Sequence, residues 1–414
     1  MTKLTRRQFL QYASLTAAGG AFAYFWPDEG ISNPCYKTRL HTSFADHDLV
    51  KAAWEGIEAN QFWDIHTHLI GSGDSDSGII LHDSMQDIFS PAQYIRYKFY
   101  INASCSENED GIDKGFVYHL RQLVDDFPSG AKCMLLAFDY NHDEVGKQNL
   151  ESSPFHTPNA YAQRIAAENP ERFEWTASIH PYREDCVEAL HDAVSKGARA
   201  IKWLPPVMGI NPDSPRCDRM YDAMSKLGIS LLTHAGDEHA VDGVKSQTPG
   251  NPLLLRRPLE HGVKVIVAHC ASQGVGIDLD THSESREVDN FRLFERLMDE
   301  KKYEGRLFGD ISAMTQLNRV GDALQTVLTR DDWQHRLING SDYPLPGAMP
   351  LYSTEKLYRL GYIDRHKVPF LRNLRRYNPL LFDFVLKRHL RWQGKGFAAT
   401  VFETRQHFIK PTVS

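Results

Sequence analysis

The sequence predicts an α/β fold, a closed (β/α)8 barrel, from three observations. Apolar runs of strand length alternate with helical stretches through most of the chain. There are eight such runs, the number that closes a parallel barrel. Seven of them end in a polar residue able to bind a cation or move a proton. In a TIM barrel those C-terminal strand ends carry the chemistry.

The elements follow in order. Residues 24–60 form an irregular extension with a helical segment at Asp46–Ile57. The first strand is Phe62-Trp63-Asp64-Ile65-His66-Thr67-His68. If side chains alternate along it, Asp64, His66 and His68 share one face, with Asp64 placed to orient the imidazoles. An insertion at about 70–112 follows, with a Gly/Ser/Asp-rich start and the aromatics Tyr94, Tyr97, Phe99 and Tyr100. Loops of that length are usually functional, and an active-site lid is the expectation. Further strands are expected at 132–138, 174–179, 199–204, 229–233, 263–268, 306–311 and 336–339, with helices between them. The run Val263-Lys264-Val265-Ile266-Val267-Ala268 is apolar on both faces beyond Lys264, as a strand lying between an interior and a helix layer must be. A helical region at 368–390 closes the barrel, giving a domain of 61–390, and 391–414 reads as a tail without strong pattern.

Composition excludes several classes. The 414 residues are 42% hydrophobic and 24% charged, with a net charge of −6, which is ordinary for a globular protein. No basic stripe argues for nucleic acid. The N-terminal pattern Thr5-Arg6-Arg7-Gln8-Phe9-Leu10, a weakly apolar stretch and Ala21-Phe22-Ala23 resemble a twin-arginine (Tat) export signal over residues 1–23. That implies passage through the Tat translocon, a periplasmic or extracytoplasmic location, and no stable membrane insertion afterwards. Six cysteines show no C-x-x-C spacing. An oxidising compartment permits a disulfide, with Cys35 and Cys105 in loop-like regions, while Cys133 and Cys270 sit in strand-like runs as buried hydrophobes.

The strand ends supply the candidate site. The first gives His66 and His68, the third His180, the fourth Lys202, the fifth His234, the sixth His269, the seventh Asp310 and the eighth Asp342. One histidine closing a strand is usually a hydrogen-bonded rim residue. Several at one end of one barrel need a shared partner, because buried polar groups without one are costly. A divalent cation is such a partner. The N/O set suits Zn²⁺, and also Mn²⁺, Fe²⁺ or Co²⁺.

The Asp64-x-His66-x-His68 strand, the histidines ending strands five and six, and the Gly340-Ser341-Asp342-Tyr343-Pro344 end resemble the amidohydrolase superfamily. With Asn378-Pro379-Leu380-Leu381-Phe382, they look like its amidohydrolase-related branch of hydrolases and non-oxidative decarboxylases. The resemblance implies that His66, His68, His234 and Asp342 are metal ligands. It makes His269 a second-metal ligand or a hydrogen-bond partner of the attacking water. Lys202 reads three ways: a carbamylated bridge between two metals, a cation for a substrate carboxylate, or a structural partner of Asp310 or a neighbour. One or two ions therefore remain in play.

The first functional expectation is a metal-dependent hydrolase that directs activated water at an amide, ester or lactone bond of a small molecule. Asp342 would shuttle the proton, and His269 or His180 would steady oxyanion charge. The alternatives are a metal-dependent carboxy-lyase and a non-catalytic ligand-binding barrel. Smaller expectations place His239, Asp237 and Glu238 on a loop at the mouth or in solvent, and Arg183 either on an anion or at a helix start.

Overall fold

The structure is a computed structural model, and it describes residues 29–36, 40–241, 246–281 and 286–408. The twin-arginine segment lies outside the described residues. Eight parallel strands form the barrel: β1 Trp63–His68, β2 Lys132–Leu136, β3 Phe173–Thr176, β4 Ala200–Trp203, β5 Ser230–His234, β6 Val265–Ala268, β7 Leu307–Asp310 and β8 Leu337–Ile338. They form two continuous ladders, β1-β2-β3 and β4 to β8 in sequence order. Backbone hydrogen bonds join the ladders at both seams. Ala177 N donates to Ala200 O (3.0 Å) and Lys202 N to Ala177 O (2.7 Å). On the other side Ile65 N donates to Asn339 O (3.2 Å), Asp342 N to His66 O (2.8 Å) and His68 N to Tyr343 O (2.9 Å). The sheet therefore closes on itself as a barrel.

Helices lie between successive strands as the periodicity predicts. The closing helical region breaks into Val368–Tyr377 and Pro379–His389. Pro379 lacks the N–H to continue the first helix, and Asn378 caps the second by accepting from Leu381 N.

The barrel interior is filled by Trp63, Ile65, Met134, Leu136, Ala200, Leu232, Ile266, Phe308 and Ile338. Trp203, its neighbour Lys202 pointing inward, meets Tyr221 of the helix layer. The C-terminal segment proves to be part of the barrel and not a patternless tail. Phe408 joins the interior cluster. Thr404 Oγ1 donates to Trp63 O (2.6 Å) and accepts from Trp63 N (3.1 Å). Asn339 N donates to Val401 O (2.9 Å). These contacts plug the end of the barrel opposite the catalytic mouth.

The insertion after β1 is ordered. It contains a helix, Pro91–Ser104, which sequence periodicity missed because its aromatics are spread around the helix and do not form one stripe. Asp113 gathers the start of the insertion, accepting from Ser72 N, Gly73 N, Ser75 Oγ and Ser77 Oγ. Ile80–Leu81 pairs antiparallel with Phe155–His156 of the loop after β2. A Cys35–Cys105 disulfide ties the N-terminal extension to the end of the helix, while Cys133, Cys186, Cys217 and Cys270 are free and buried.

Phe408→Ala is expected to cost about 3 kcal/mol of stability, through an unfilled space in the barrel floor. Urea unfolding measures this. A loss below about 1 kcal/mol would mean that the segment does not hold the barrel shut.

Candidate metal centre

A one-residue slip in β1 creates the site. Trp63 pairs with Lys132 and Asp64 with Cys133, but Thr67 pairs with Leu135, so β1 carries one extra residue. Trp63 and Ile65 point into the barrel below the bulge. His66 and His68 point into the mouth above it. Strict alternation would have sent these two sets to opposite faces. The bulge also corrects the expected role of Asp64, which does not orient the imidazoles. Its Oδ1 accepts from the backbone N–H groups of His66 (3.1 Å) and Ser341 (2.8 Å), binding the first strand to the last. Burial pushes its carboxyl up to about 6.

Asp310 takes the orienting role. Its Oδ2 accepts from His66 Nδ1 at 2.7 Å and from Ser312 Oγ at 2.6 Å. His269 Nδ1 donates to Ser312 O at 3.0 Å. With both Nδ1 atoms protonated, the Nε2 lone pairs of His66 and His269 face the cavity. Gly340 makes this possible: a Cβ there would lie 2.6 Å from His66 Cβ and 2.8 Å from Asp310 Oδ1.

Around Asp342 the donors converge. Its Oδ1 lies 3.0 Å from His68 Nε2 and 3.4 Å from His66 Nε2, and its Oδ2 lies 3.7 Å from His269 Nε2. Burial pushes this carboxyl up, but His269, His66 and His68 outweigh it and hold it well below the usual carboxylate range. Left-handed backbone at Asp342 (φ 61°) and at His269 (φ 55°) turns both side chains inward as the chain leaves the strand. His66, His68 and Asp342 form a trio whose ligand atoms lie within 4.8 Å of one another. His234 stands further out on the same cavity wall, with its Nε2 buried and unpartnered. Glu238 Oε2 lies 3.6 Å from its Nδ1. Burial pulls His66, His234 and His269 down, with help from Lys202 for the first and Arg319 for the other two. Desolvation thus favours the neutral imidazole, the form that binds metal. The donor set and the orphaned His234 Nε2 fit a divalent cation.

Lys202 Nζ lies 3.1 Å from His66 Nε2 on the cavity floor, and burial pulls it down to about 8. Among the described residues it forms no ion pair with Asp310, and its hydrogen-bond neighbour is His66. His180 is a second correction. Its Nε2 contacts Met208 O at 3.0 Å and its Nδ1 accepts from Tyr182 N at 3.2 Å. Both ring nitrogens are used by backbone, and burial pulls the ring down to about 3. Its ring lies tilted against that of His142, 4.4 Å between centroids, and it is not among the residues lining the cavity. Arg183 is likewise engaged by Asp139 and Asp185, and His156 by the ring of Tyr140.

The cavity has a volume of about 470 Å³. The insertion builds its apolar wall, and Tyr100 OH donates to Ala240 O (2.6 Å) across the mouth. Sequence reading missed three residues on the wall: Gln316, Asn318 and Arg319 in the loop after β7. They follow Asp310 too closely to stand out as a separate motif. Glu238, read from sequence as mouth or solvent, is buried and faces the site.

A closed barrel with imidazoles and a carboxylate gathered at its mouth defines a class of metal-dependent enzymes acting on small molecules. The amidohydrolase family model matches residues 63–361, and the chain belongs to that family. No curated relative matches the chain. Among solved structures, the chain is similar to an uncharacterised TIM-barrel protein of Bordetella bronchiseptica, at 14% identity and a TM-score of 0.46, over 72% of this chain and 91% of the other. It is also similar to a probable 2-pyrone-4,6-dicarboxylic acid hydrolase of Acinetobacter baumannii (14% identity, TM-score 0.42, 77% and 99% covered). A third is 5-carboxyvanillate decarboxylase of Sphingomonas paucimobilis (9% identity, TM-score 0.39, 77% and 96% covered). None is similar enough to assign a reaction.

Asp310→Asn removes the carboxylate that orients His66. Metal affinity is expected to fall about 10- to 100-fold, measured by competition with a chromogenic chelator. Unchanged affinity would show that His66 is oriented by other groups.

Proposed function

We propose that this protein is a hydrolase of an amide, ester or lactone bond in a small molecule, with a divalent cation, Zn²⁺ first among candidates, held by His66, His68, His234 and Asp342. The observation that carries the reading is the meeting of His66, His68 and Asp342 beside the unpartnered His234 Nε2. When bound, the cation polarises a carbonyl and acidifies water. The residues do the rest. Asp342, anionic and at the centre of the donors, takes a proton as water oxygen bonds to the carbonyl carbon. It passes that proton to the departing nitrogen or oxygen as the bond to carbon breaks. His269 faces the cavity from the adjacent strand end and steadies the oxygen that gains charge. His180 has no part in this, since its ring is bound to backbone.

Lys202 supports either of two arrangements. Its depressed basicity suits carbamylation and a second ion shared with His234 and His269. Left as a cation beside His66, it suits a substrate carboxylate, and this position favours the second reading, a carboxy-lyase that uses the same pocket without water attack. Release of CO2 separates the lyase from the hydrolase.

We also propose export by the twin-arginine route to the periplasm. The Arg6-Arg7 motif supports it, as does the Cys35–Cys105 disulfide, a bond that persists in oxidising compartments. Among the described residues no helix is long and apolar enough to cross a membrane.

Asp342→Asn is expected to abolish turnover, by about 10³-fold or more, in a barrel with wild-type circular dichroism. Wild-type rates would remove Asp342 from proton transfer. Metal analysis of Lys202→Ala decides the ion count. Two equivalents falling to one or none supports the bridging carbamate, and one equivalent in both proteins removes it.

A further inference from the structure

The loop after β7 brings a cation into the cavity that the chemistry above does not use. Arg319 lines the cavity with Gln273, Gln316 and Asn318. Its Nη1 donates to Ser272 Oγ at 3.0 Å. Its Nε is buried and has no hydrogen-bond partner. The acids that share the cavity are committed elsewhere. Asp342 faces His66, His68 and His269. Glu238 faces His234 and accepts from Ala240 N and Val241 N. Among the described residues no carboxylate forms an ion pair with Arg319. Arg375, a fully buried arginine, is by contrast held by Glu29 Oε2 at 2.7 Å and by backbone carbonyls. The Arg319 side chain is half-buried, and a partly desolvated guanidinium without an anion is costly to keep. At a cavity wall, a ligand supplies that anion.

The rest of the wall describes the remainder of the ligand. Ile79, Leu81, Met85, Tyr97, Ile101 and Phe155 present an apolar surface. Lys202 sits at the floor beside His66, apart from this wall. The amides of Gln273, Gln316 and Asn318 flank the guanidinium with neutral donors and acceptors. A single planar guanidinium with amide neighbours matches a carboxylate, which it can grip with two parallel N–H bonds.

We infer that Arg319 is a specificity-determining residue that holds a carboxylate carried on an apolar body, a group separate from the bond that reacts. The inference rests on the reading of this cavity as the active site. It holds whether the reaction is hydrolysis or decarboxylation.

The probes are phenylacetate and phenylacetamide, equal in body and different in charge. Calorimetric titration is run on the protein as isolated and again after chelation, so that a carboxylate bound only to metal is recognised. The wild-type protein is expected to prefer phenylacetate in both preparations. Arg319→Gln is expected to weaken phenylacetate about tenfold or more and to leave phenylacetamide within about twofold. Arg319→Lys is expected to recover part of the loss. Equal loss for the two probes, no loss for phenylacetate, or a preference that disappears on chelation overturns the assignment, as does failure of the wild-type protein to bind phenylacetate at millimolar concentration. Metal content of Arg319→Gln equal to wild type shows that the ion site is intact. A wild-type protein that prefers phenylacetate after chelation yet hydrolyses no amide, ester or lactone would sink the hydrolase proposal and leave Arg319 in its role.

Discussion

Asp64 lies where the first and last barrel strands meet, and the site depends on that junction. Its carboxylate accepts one N–H from His66 and one from Ser341. Beside it, Asp342 N donates to His66 O. These bonds join chain segments separated by 277 residues. The bulge between Asp64 and Thr67 adds the second half of the constraint, since it rotates His66 and His68 from the phase of the helix layer to that of the interior. Without the seam Asp342 has no fixed relation to the imidazoles. Without the bulge the imidazoles face the wrong way. Gly340 belongs to the same device, because any Cβ there would collide with His66.

Burial then sets the chemistry. Desolvation pulls His66, His234 and His269 down, and the close approach of His269, His66 and His68 holds Asp342 well below the usual carboxylate range. Neutral imidazoles and an anionic carboxylate are the forms that bind a cation. The same low-dielectric setting makes every unmatched charge expensive. Lys202 responds by losing basicity. Arg319 cannot deprotonate, and its need for an anion remains.

The insertion after β1 does for the mouth what the C-terminal segment does for the floor. Phe408 and Thr404 close one end of the barrel. The helix Pro91–Ser104 walls the other, anchored by Cys105 to Cys35 and by Tyr100 to Ala240 O. An open barrel mouth would leave His66, His68 and Asp342 in bulk water. The apolar wall gives the site a volume, and with it a choice among substrates.

Much of this was legible in the sequence. Alternating apolar runs and helical stripes determined the barrel, because each period records how a segment must be buried. The strand-end rule picked out His66, His68, Lys202, His234, His269 and Asp342 as mouth residues, with Asp310 bonded to His66, because topology alone puts all strand ends on one side. Tertiary structure decided what side chains do once there. His180 ends a strand, yet both its ring nitrogens are taken by backbone, at Met208 O and Tyr182 N. Asp310 and not Asp64 holds His66, because a one-residue bulge shifts which side chain faces which way. Arg319 and Phe408 gain their places from loops and a chain end that carry no period to read. Periodicity reports burial, while partnership depends on distances between segments far apart in the chain, and those exist only once it has folded.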